Sequence, residues 1–288
     1  MSYHGFYDLC INFDGQNKEN LRRLLSRLYE MGYRTVAINQ PLDESALEVE
    51  KKKKKKGEKA ENTDPLATVV NPFDVEDVKK EFKGKLSILS RLTFTFSDTA
   101  KTYTLGQSNG LKKFDLYGVM PKNQAALQFA CSQLNVDIVT INSTSGSFKF
   151  TRKLYLQAVE RGVHFEVRYA DAIERSTRKT AIHYAHLFYV YGKSRNVIVS
   201  SGTGDYSRIR NPYDIINLCA LFGLSEVKAK AAVLGQCHHL ILKAEGRHFG
   251  KAVFAIKITD ESPASDGDSE DEDESEDDIS SSKKKMKL

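Results

Sequence analysis

The sequence predicts an α/β fold, namely a TIM-type barrel of mostly parallel strands with helices on the outside. Short β-branched runs alternate with segments of helical periodicity along most of the 288 residues. We count seven or eight such strands, and nearly all are followed by a helix, which is the pattern of a parallel sheet. Setting aside a charged insertion and a charged tail leaves about 250 residues, the usual size of this barrel.

The chain begins with a predicted βαβ unit. Phe6–Asn12 is the first strand, and residues 17–32 form a helix that Gly32 ends. A second strand at 34–39 follows within two residues, and such short connections favour parallel strands. The apolar residues at helical spacing are Leu21, Leu24, Leu25, Leu28 and Met31.

A charged insertion then interrupts the pattern at residues 43–64. It contains six consecutive lysines at 51–56 and no apolar periodicity, so we predict a disordered, solvent-exposed segment. The lysine run is compatible with nucleic-acid contact and equally with a solvated loop. No specific site is assigned to it.

The middle of the chain returns to alternating strands and helices. A helix at 73–82 precedes a strand, or a bent pair of strands, at 85–97, inside which Arg91 interrupts an apolar run. A buried arginine needs a partner, whereas an arginine at a barrel mouth does not. Residues 98–113 are expected to be loop-like with a weak helix.

The remaining predicted elements are strand 114–120 with helix 123–134, strand 137–142 with helix 151–161, strand 164–169 with helix 171–191, strand 197–200 with a helix from Pro212, a last helix at 225–244 and a closing strand at 251–258.

The C-terminal segment has the composition of a disordered acidic tail. It ends in a basic cluster, KKKMK at 283–287, which resembles a short nuclear-import signal. We therefore predict two regions, a barrel at 1–259 that carries the insertion and a disordered tail at 260–288.

Composition is typical of a soluble globular protein with a sizeable core, because 40% of the residues are hydrophobic and 28% are charged. No apolar run approaches the roughly 20 residues that a membrane span needs, and the first ten residues lack the features of a signal peptide. The four cysteines form no CxxC pair. This predicts buried, reduced thiols in a cytosolic or nuclear protein, without a zinc site or a disulfide framework.

The net charge of +5 conceals a partition between body and tail. Residues 260–288 hold 12 acidic and 4 basic residues, so residues 1–259 carry a net charge of +13. Such a body is biased toward polyanions. Charge alone explains solubility as well, and it does not separate RNA from DNA or anionic lipid.

Signals for catalysis are weak. The sequence contains no HxH, HExxH or CxxC motif, and the seven histidines are scattered, with His183 and His186 sharing an apolar-faced helix. A metal-dependent hydrolase site therefore finds too few ligands. Ser200 and Ser201 lie in a glycine-containing loop after a buried strand, but the loop is not the GxSxG nucleophile elbow.

Two basic clusters follow neighbouring predicted strands. Arg208 and Arg210 lie in the loop after Ser200 and Ser201, where glycine amides and positive charge suit a phosphate. Arg175, Arg178 and Lys179 lie after the preceding strand, and the i, i+4 spacing of Arg175 and Lys179 places like charges on one helix face. In a barrel both clusters belong to the same rim, which predicts one anionic-ligand surface. Solvated surface charge is the alternative interpretation.

Several motifs together resemble the thirty-kilodalton protein subunit family of nuclear ribonuclease P and RNase MRP. The similarity spans residues 6–233 in collinear order, interrupted by the insertion, and does not cover the tail. The motifs are DLCIN, GYRTVAIN, ILSRLTF, FDLYGVMP, FEVRYADAIERSTRK, NVIVSSG and IRNPYDIINLCALFGLSEVKAKAAV.

The resemblance implies a barrel similar to the polymerase-and-histidinol-phosphatase (PHP) hydrolases without their metal-binding histidines. Where such hydrolases carry HxH on the first strand, this chain has Asp8, Leu9 and Cys10. Members of the family are implied to be non-catalytic, RNA-binding scaffold subunits. They pair with a small partner homologous to yeast Pop five and with other ribonuclease P protein subunits.

The catalyst in that particle is its RNA, which uses magnesium and removes the 5′ leader of precursor tRNA, while the MRP particle processes precursor rRNA. The resemblance thus implies no cofactor bound by the chain itself, contact with precursor tRNA through the holoenzyme, and a nuclear and nucleolar location. The lack of a long apolar run predicts no membrane association. By charge and placement at matched positions, the predicted RNA-binding residues are Arg91, Arg175, Arg178, Lys179, Ser200, Ser201, Arg208 and Arg210.

Two other functions stay open at the level of sequence. One is a metal-dependent phosphoesterase of the PHP barrel class, which the missing ligands disfavour. The other is an acidic-tailed histone or ribosome chaperone, which would depend on residues 260–288.

Overall fold

Seven parallel strands form one sheet in the order β1 to β7. The computed structural model describes residues 5–49, 71–144 and 148–249, all within one compact unit. The strands are β1 (Phe6–Asn12), β2 (Tyr33–Asp43), β3 (Ser87–Phe96), β4 (Leu116–Pro121), β5 (Ile138–Thr140), β6 (His164–Arg168) and β7 (Val197–Ser200).

The sheet curls until the segment after β7 meets β1. Ile11 and Thr203 form a parallel bridge, the Asn12 N–H donates to the Thr203 carbonyl at 3.2 Å, and the Gly202 N–H donates to the Cys10 carbonyl at 3.0 Å. Gly202 has φ +67°, and a Cβ there would lie 2.6 Å from the Arg168 side chain, so the junction requires glycine. Seven strands therefore form a nearly closed barrel, which confirms the predicted fold class. The predicted eighth strand at 251–258 lies outside the described residues.

Helices surround the barrel, as the alternating pattern predicts. They are α1 (Lys18–Glu30), α2 (Ala46–Val49), α3 (Glu76–Glu81), α4 (Thr99–Gln107), α5 (Gln124–Ser132), α6 (Arg152–Glu160), α7 (Tyr169–Ile173), α8 (Arg178–Gly192), α9 (Pro212–Leu218), α10 (Glu226–Val233) and α11 (Gly235–Phe249). Within the described ranges, no helix combines the length and the hydropathy of a bilayer-spanning segment.

Two predicted long helices are each divided in two. The predicted helix at 171–191 breaks between α7 and α8, because the Arg178 guanidinium donates to the carbonyl groups of Ala172 (3.0 Å) and Ile173 (2.6 Å) that end α7. The Thr177 hydroxyl also donates to the Asp171 carbonyl at 2.7 Å. The predicted helix at 225–244 breaks at Leu234, between α10 and α11.

The predicted insertion at 43–64 begins later than expected. Asp43 is the last residue of β2, α2 follows it, and Glu44 is only 9% exposed. The Glu44 carboxylate accepts hydrogen bonds from the Ser97 N–H at 2.8 Å, the Ser97 hydroxyl at 2.6 Å and the Asp98 N–H at 3.2 Å. This attachment to the loop after β3 orders the segment. Residues 50–70, which include the lysine run, and the predicted tail at 260–288 lie outside the described residues.

Helix α11 covers the amino end of the barrel. Its Cys237 and Leu240 pack in one apolar cluster with inward-facing strand residues such as Leu9, Ile138 and Ile198, and all of these are buried. Burying each aliphatic side chain contributes about 1.5–3 kcal/mol. Because α11 packs across the amino end, the carboxyl end is the accessible mouth, where parallel barrels carry their functional groups.

Candidate nucleic-acid interface

The barrel mouth encloses a cavity of about 410 Å³ at the carboxyl ends of β1, β2, β3, β4 and β6. Amide and hydroxyl groups supply most of its polar lining. The polar side chains around it are those of Asn12, Asp14, Asn17, Asn20, Asn39, Thr93, Thr95 and Arg168. Neutral, hydrogen-bonding groups thus predominate here.

The innermost of these amides bond to one another. The Asn39 amide donates to Asn12 Oδ1 at 2.8 Å, and the Thr93 hydroxyl donates to Asn39 Oδ1 at 2.6 Å. The Asn12 amide donates to the Gly202 carbonyl at 2.8 Å. The mouth residues therefore tie the ends of β1, β2, β3 and the closing segment together.

A buried ion pair lies beneath this layer. Arg91 on β3 donates from Nη1 to Glu166 Oε1 at 2.5 Å and from Nη2 to Glu166 Oε2 at 2.7 Å, and both side chains are 0% exposed. Arg91 Nη1 also donates to the Leu9 carbonyl at 2.7 Å, and Nε donates to Thr93 Oγ1 at 3.2 Å. The pair spans the barrel interior between β3 and β6 in the bidentate geometry that favours guanidinium–carboxylate pairing.

The same carboxylate collects two further hydrogen bonds. The Thr140 hydroxyl donates to Glu166 Oε2 at 2.6 Å, and the Ser200 hydroxyl donates to Oε1 at 2.8 Å. Burial alone would raise the pKa of Glu166, but the Arg91 charge and these hydrogen bonds outweigh burial and hold that pKa below its ordinary value. The carboxylate is therefore ionised and fully paired.

Three of the predicted RNA-binding residues are inaccessible. Arg91 and Ser201 are 0% exposed, and Ser200 is 2% exposed. The Ser201 hydroxyl donates to the Cys10 carbonyl at 3.0 Å. Their assignment to RNA contact is wrong, because each is enclosed in the barrel and bonded to interior groups.

Asp8 fixes the closure of the barrel from inside. Its Oδ1 accepts hydrogen bonds from the Ser201 N–H at 3.0 Å and the Cys10 N–H at 3.2 Å. Burial raises the pKa of Asp8 to about 6, against the lowering effect of those hydrogen bonds. A carboxyl group thus sits where the sequence suggested a departure from a metal motif, and it serves the β1–β7 junction.

The other five predicted residues form a surface around the loops after β6 and β7. We call Arg175, Arg178, Lys179, Arg208 and Arg210 the basic rim. Arg175, Arg178 and Lys179 are exposed, and Arg208 and Arg210 are partly exposed. Their role in RNA contact stays a prediction.

An ion pair brings the two loops together. Arg208 Nη2 lies 2.9 Å from Glu174 Oε2, and Arg208 Nε lies 3.6 Å from Asp205 Oδ2. Arg210 Nη1 donates to the Ser207 carbonyl at 2.7 Å. Arg208 is thus partly neutralised, and Arg210 braces its own loop.

Arg175 and Lys179 do not share a helix face, contrary to the predicted i, i+4 pair. Arg175 lies in the turn before α8, and Arg178 begins α8 and holds the end of α7. Among the described residues, the side chains of Arg175 and Lys179 enter no ion pair. These two cations are therefore the most available charges of the basic rim.

The described ranges contain no group of three or more His, Cys, Asp or Glu side chains placed to hold a metal ion. His183 and His186 are exposed on α8, and His164 is fully buried at the amino end of the barrel, with its ring centroid 5.7 Å from that of His239. The two histidines on α8 thus lie apart from His164 and His239.

Comparison with known proteins identifies the family. The family model described as RNase P subunit p30 matches residues 5–248, which include the whole described barrel. The chain belongs to the RNase P subunit p30 family. The resemblance seen in the sequence is confirmed.

Relatives within this family are similar over most of their length. The ribonuclease P protein subunit p30 of Mus musculus is 36% identical over 252 residues, which cover 86% of this chain and 88% of the mouse protein. The ribonuclease P/MRP protein subunit RPP1 of Saccharomyces cerevisiae is 25% identical over 231 residues, covering 79% and 73%. A chain in the cryo-EM structure of archaeal ribonuclease P with mature tRNA shares the fold, with a TM-score of 0.60, 14% identity and coverage of 88% and 98%.

Glu166 is the residue of this p30-family barrel that sequence reasoning missed. It is an interior position of β6, 75 residues from Arg91, and it completes the pair that a buried arginine needs. The available signal was the apolar run around Arg91, which requires an acidic partner if the arginine is buried. Glu166 has apolar neighbours in the strand FEV, but Asp8 and Asp137 also have apolar neighbours in predicted strands, so this requirement indicated an acidic partner without identifying Glu166.

Proposed function

We propose that this chain is a non-catalytic, RNA-binding protein subunit of ribonuclease P, and also of RNase MRP. The observation that carries the proposal is the family match over residues 5–248, together with relatives named as ribonuclease P and ribonuclease P/MRP subunits. The positive charge of residues 1–259 and the basic rim support RNA as the ligand. RNA in the particle, with its magnesium, would then supply the catalysis.

The interior of the barrel supports a non-catalytic role. The centre is occupied by the Arg91 guanidinium, whose positive charge opposes a cation at that position. The Ser200 and Ser201 hydroxyls donate to a carboxylate and a carbonyl within the fold, and neither faces the mouth as a nucleophile. The polar groups of the barrel thus serve its own closure.

Purification from nuclear extract tests the proposal most directly. We expect a tagged full-length chain to bring down ribonuclease P RNA and MRP RNA, a small Pop-five-type subunit, other ribonuclease P protein subunits and, through the holoenzyme, precursor tRNA. Sequencing of the recovered RNA identifies the particles. Recovery from nuclei and nucleoli also tests the proposed location. Absence of any enriched RNA would reject the proposed function.

Metal analysis separates this proposal from a phosphoesterase. We expect the purified chain to hold only substoichiometric zinc or manganese and to lack activity on phosphomonoesters, because the described residues offer no three-ligand cluster. Elemental analysis and a phosphatase assay after metal loading provide the measurement. Stoichiometric metal with matching activity would establish the phosphoesterase instead.

Removing Arg175 and Lys179, which form no ion pair within the described part of the chain, tests where RNA binds. For Arg175→Ala with Lys179→Ala, we expect weaker binding of the co-purified RNA and a decrease of about one to two in the slope of log affinity against log salt, because two phosphate contacts are lost. Lys153→Ala with Lys230→Ala removes two exposed lysines from α6 and α10 and serves as the matched control. Equal slopes for the two double variants would remove the rim from the RNA interface.

A further inference from the structure

A second concavity, which is basic, lies at the opposite end of the barrel, near the starts of β1, β2 and β3. Its volume is about 720 Å³, and it lies against the turn between α3 and β3. Four cationic side chains line it, those of Arg34, Lys79, Lys83 and Lys85, and its described lining includes no carboxylate. We call it the amino-end cavity.

The Arg34 guanidinium is held in place at this cavity. Nη1 donates to the carbonyl groups of Tyr29 at 2.9 Å and Tyr33 at 2.7 Å, and the guanidinium carbon lies 4.5 Å from the centroid of the Tyr29 ring. Gly5, at φ +96°, leaves room for this side chain, since a Cβ there would lie 2.4 Å from Arg34 Cγ. A fixed guanidinium binds phosphate with little loss of side-chain entropy.

The lysines around it are available for binding. Lys83 and Lys85 are exposed and enter no ion pair among the described residues, while Lys79 lies 3.5 Å from the exposed Glu76. Gly84 between them has φ +82°, and no atom lies within 4 Å of where its Cβ would be. The turn therefore presents two lysines around an open glycine, and their mutual repulsion is relieved by a bound anion.

Helix α1 connects this cavity to the basic rim. Arg27 on α1 donates to the Tyr206 hydroxyl at 3.1 Å and stacks on that ring at 4.5 Å, and Tyr206 belongs to the loop that carries Arg208. Tyr29, near the end of the same helix, stacks with Arg34. At the start of α1, the Asn20 amide donates to the Gly204 carbonyl of the loop after β7 at 3.1 Å, so the helix runs from that loop to the cavity. Its 13 residues span about 20 Å, and one structured RNA along this side of the barrel reaches both surfaces.

We propose that the amino-end cavity is a second RNA-contact surface, which binds backbone phosphates through Arg34, Lys83 and Lys85. This inference rests on the proposed function, because it takes RNA as the ligand. Cationic side chains on two separate segments, the start of β2 and the turn before β3, with one guanidinium fixed, suit the repeated phosphates of a nucleic-acid backbone. An acidic protein segment is the competing occupant.

The test compares two double variants of the full-length chain. The cavity variant carries Lys83→Gln and Lys85→Gln, and the control variant carries Lys153→Gln and Lys230→Gln. The probe is a labelled transcript of the RNA that co-purifies with the wild-type chain, and far-UV circular dichroism checks that each variant is folded. Two lost phosphate contacts reduce the salt slope by about 1.4 to 1.8. Between 50 and 200 mM salt, wild-type affinity is therefore expected to fall about 7- to 12-fold more than that of the cavity variant.

The outcomes distinguish this inference from the proposed function. Combined with the rim variant, the cavity variant is expected to lower the slope additively, because the two surfaces are separated. If the cavity variant has the same slope as the control while the wild-type chain binds RNA, the cavity is not an RNA-contact surface, and the proposed function is unaffected. If the cavity variant has the salt slope of the control but no longer binds polyglutamate, a model acidic segment, the cavity is assigned to an acidic protein. No RNA binding by the wild-type chain overturns both.

Discussion

Replacing Arg91 by methionine is expected to lower the free energy of unfolding by about 3–5 kcal/mol, because it leaves the Glu166 carboxylate buried without its counter-charge. Typical domains are stable by only about 5–15 kcal/mol, so this change removes a large share of the total. Urea unfolding followed by far-UV circular dichroism provides the measurement, since the chain contains no tryptophan to report by fluorescence.

A double variant separates the loss of an ion pair from the loss of packing. Arg91→Met with Glu166→Leu removes both charges and keeps apolar volume in the barrel. We expect it to be more stable than Arg91→Met alone, because no charge stays buried without a partner. A cost remains, since Thr140, Ser200 and the Leu9 carbonyl lose their partners. Strict additivity of the two single substitutions would show that the charges are not coupled.

This pair also shows where sequence reasoning about the site succeeds and where it stops. The apolar surroundings of Arg91 left two alternatives, a buried arginine with a partner or an exposed one at the mouth. Choosing between them requires the position of Glu166, which lies 75 residues away. No local pattern reports that distance. The assignment of Arg91 to RNA was wrong because burial inside a closed barrel depends on contacts between distant strands.

The fold was more predictable than the site, because its signals are local. Each strand and helix has its own periodicity, and short connections dictate parallel order. Closure by seven strands was less predictable, since it depends on Thr203 reaching Ile11 across the whole chain. The division of the predicted helix at 171–191 had the same origin, because Arg178 caps α7 through side-chain contacts that helical periodicity does not encode.

The exposed cations illustrate a third case. Charge correctly placed Arg175 and Lys179 on the surface, and the order of strands put the segment after β6 beside the loop that carries Arg208. The amino-end cavity was not predicted, because Arg34, Lys83 and Lys85 are scattered in sequence among acidic neighbours such as Glu81. The fold, rather than the composition of one segment, separates those cations from the carboxylates.

Two buried groups are expected to give opposite pH dependences of stability between pH 7 and pH 5. Burial, with the nearby His239 and Lys243, lowers the pKa of His164 to about 3, and burial raises the pKa of Asp8 to about 6. On acidification the unfolded chain protonates His164 while the folded chain does not, so this group destabilises the fold by about 2 kcal/mol at pH 5. The folded chain protonates Asp8 while the unfolded chain does not, which stabilises the fold by about 1.4 kcal/mol.

Single substitutions separate these two contributions. His164→Leu removes the histidine contribution and leaves that of Asp8. The free energy of unfolding of this variant should therefore rise by about 1.4 kcal/mol from pH 7 to pH 5. Asp8→Asn keeps an oxygen that accepts from Ser201 and Cys10, and its free energy of unfolding should fall by about 2 kcal/mol over the same interval. The His183→Asn variant, at an exposed position on α8, controls for the loss of one histidine.

Glu44 and Asp43, whose pKa values of about 2 are held down by hydrogen bonds and Lys122, affect stability only below about pH 4.5. Urea unfolding at the two pH values therefore isolates Asp8 and His164, and identical pH dependences in both variants would contradict their opposed roles.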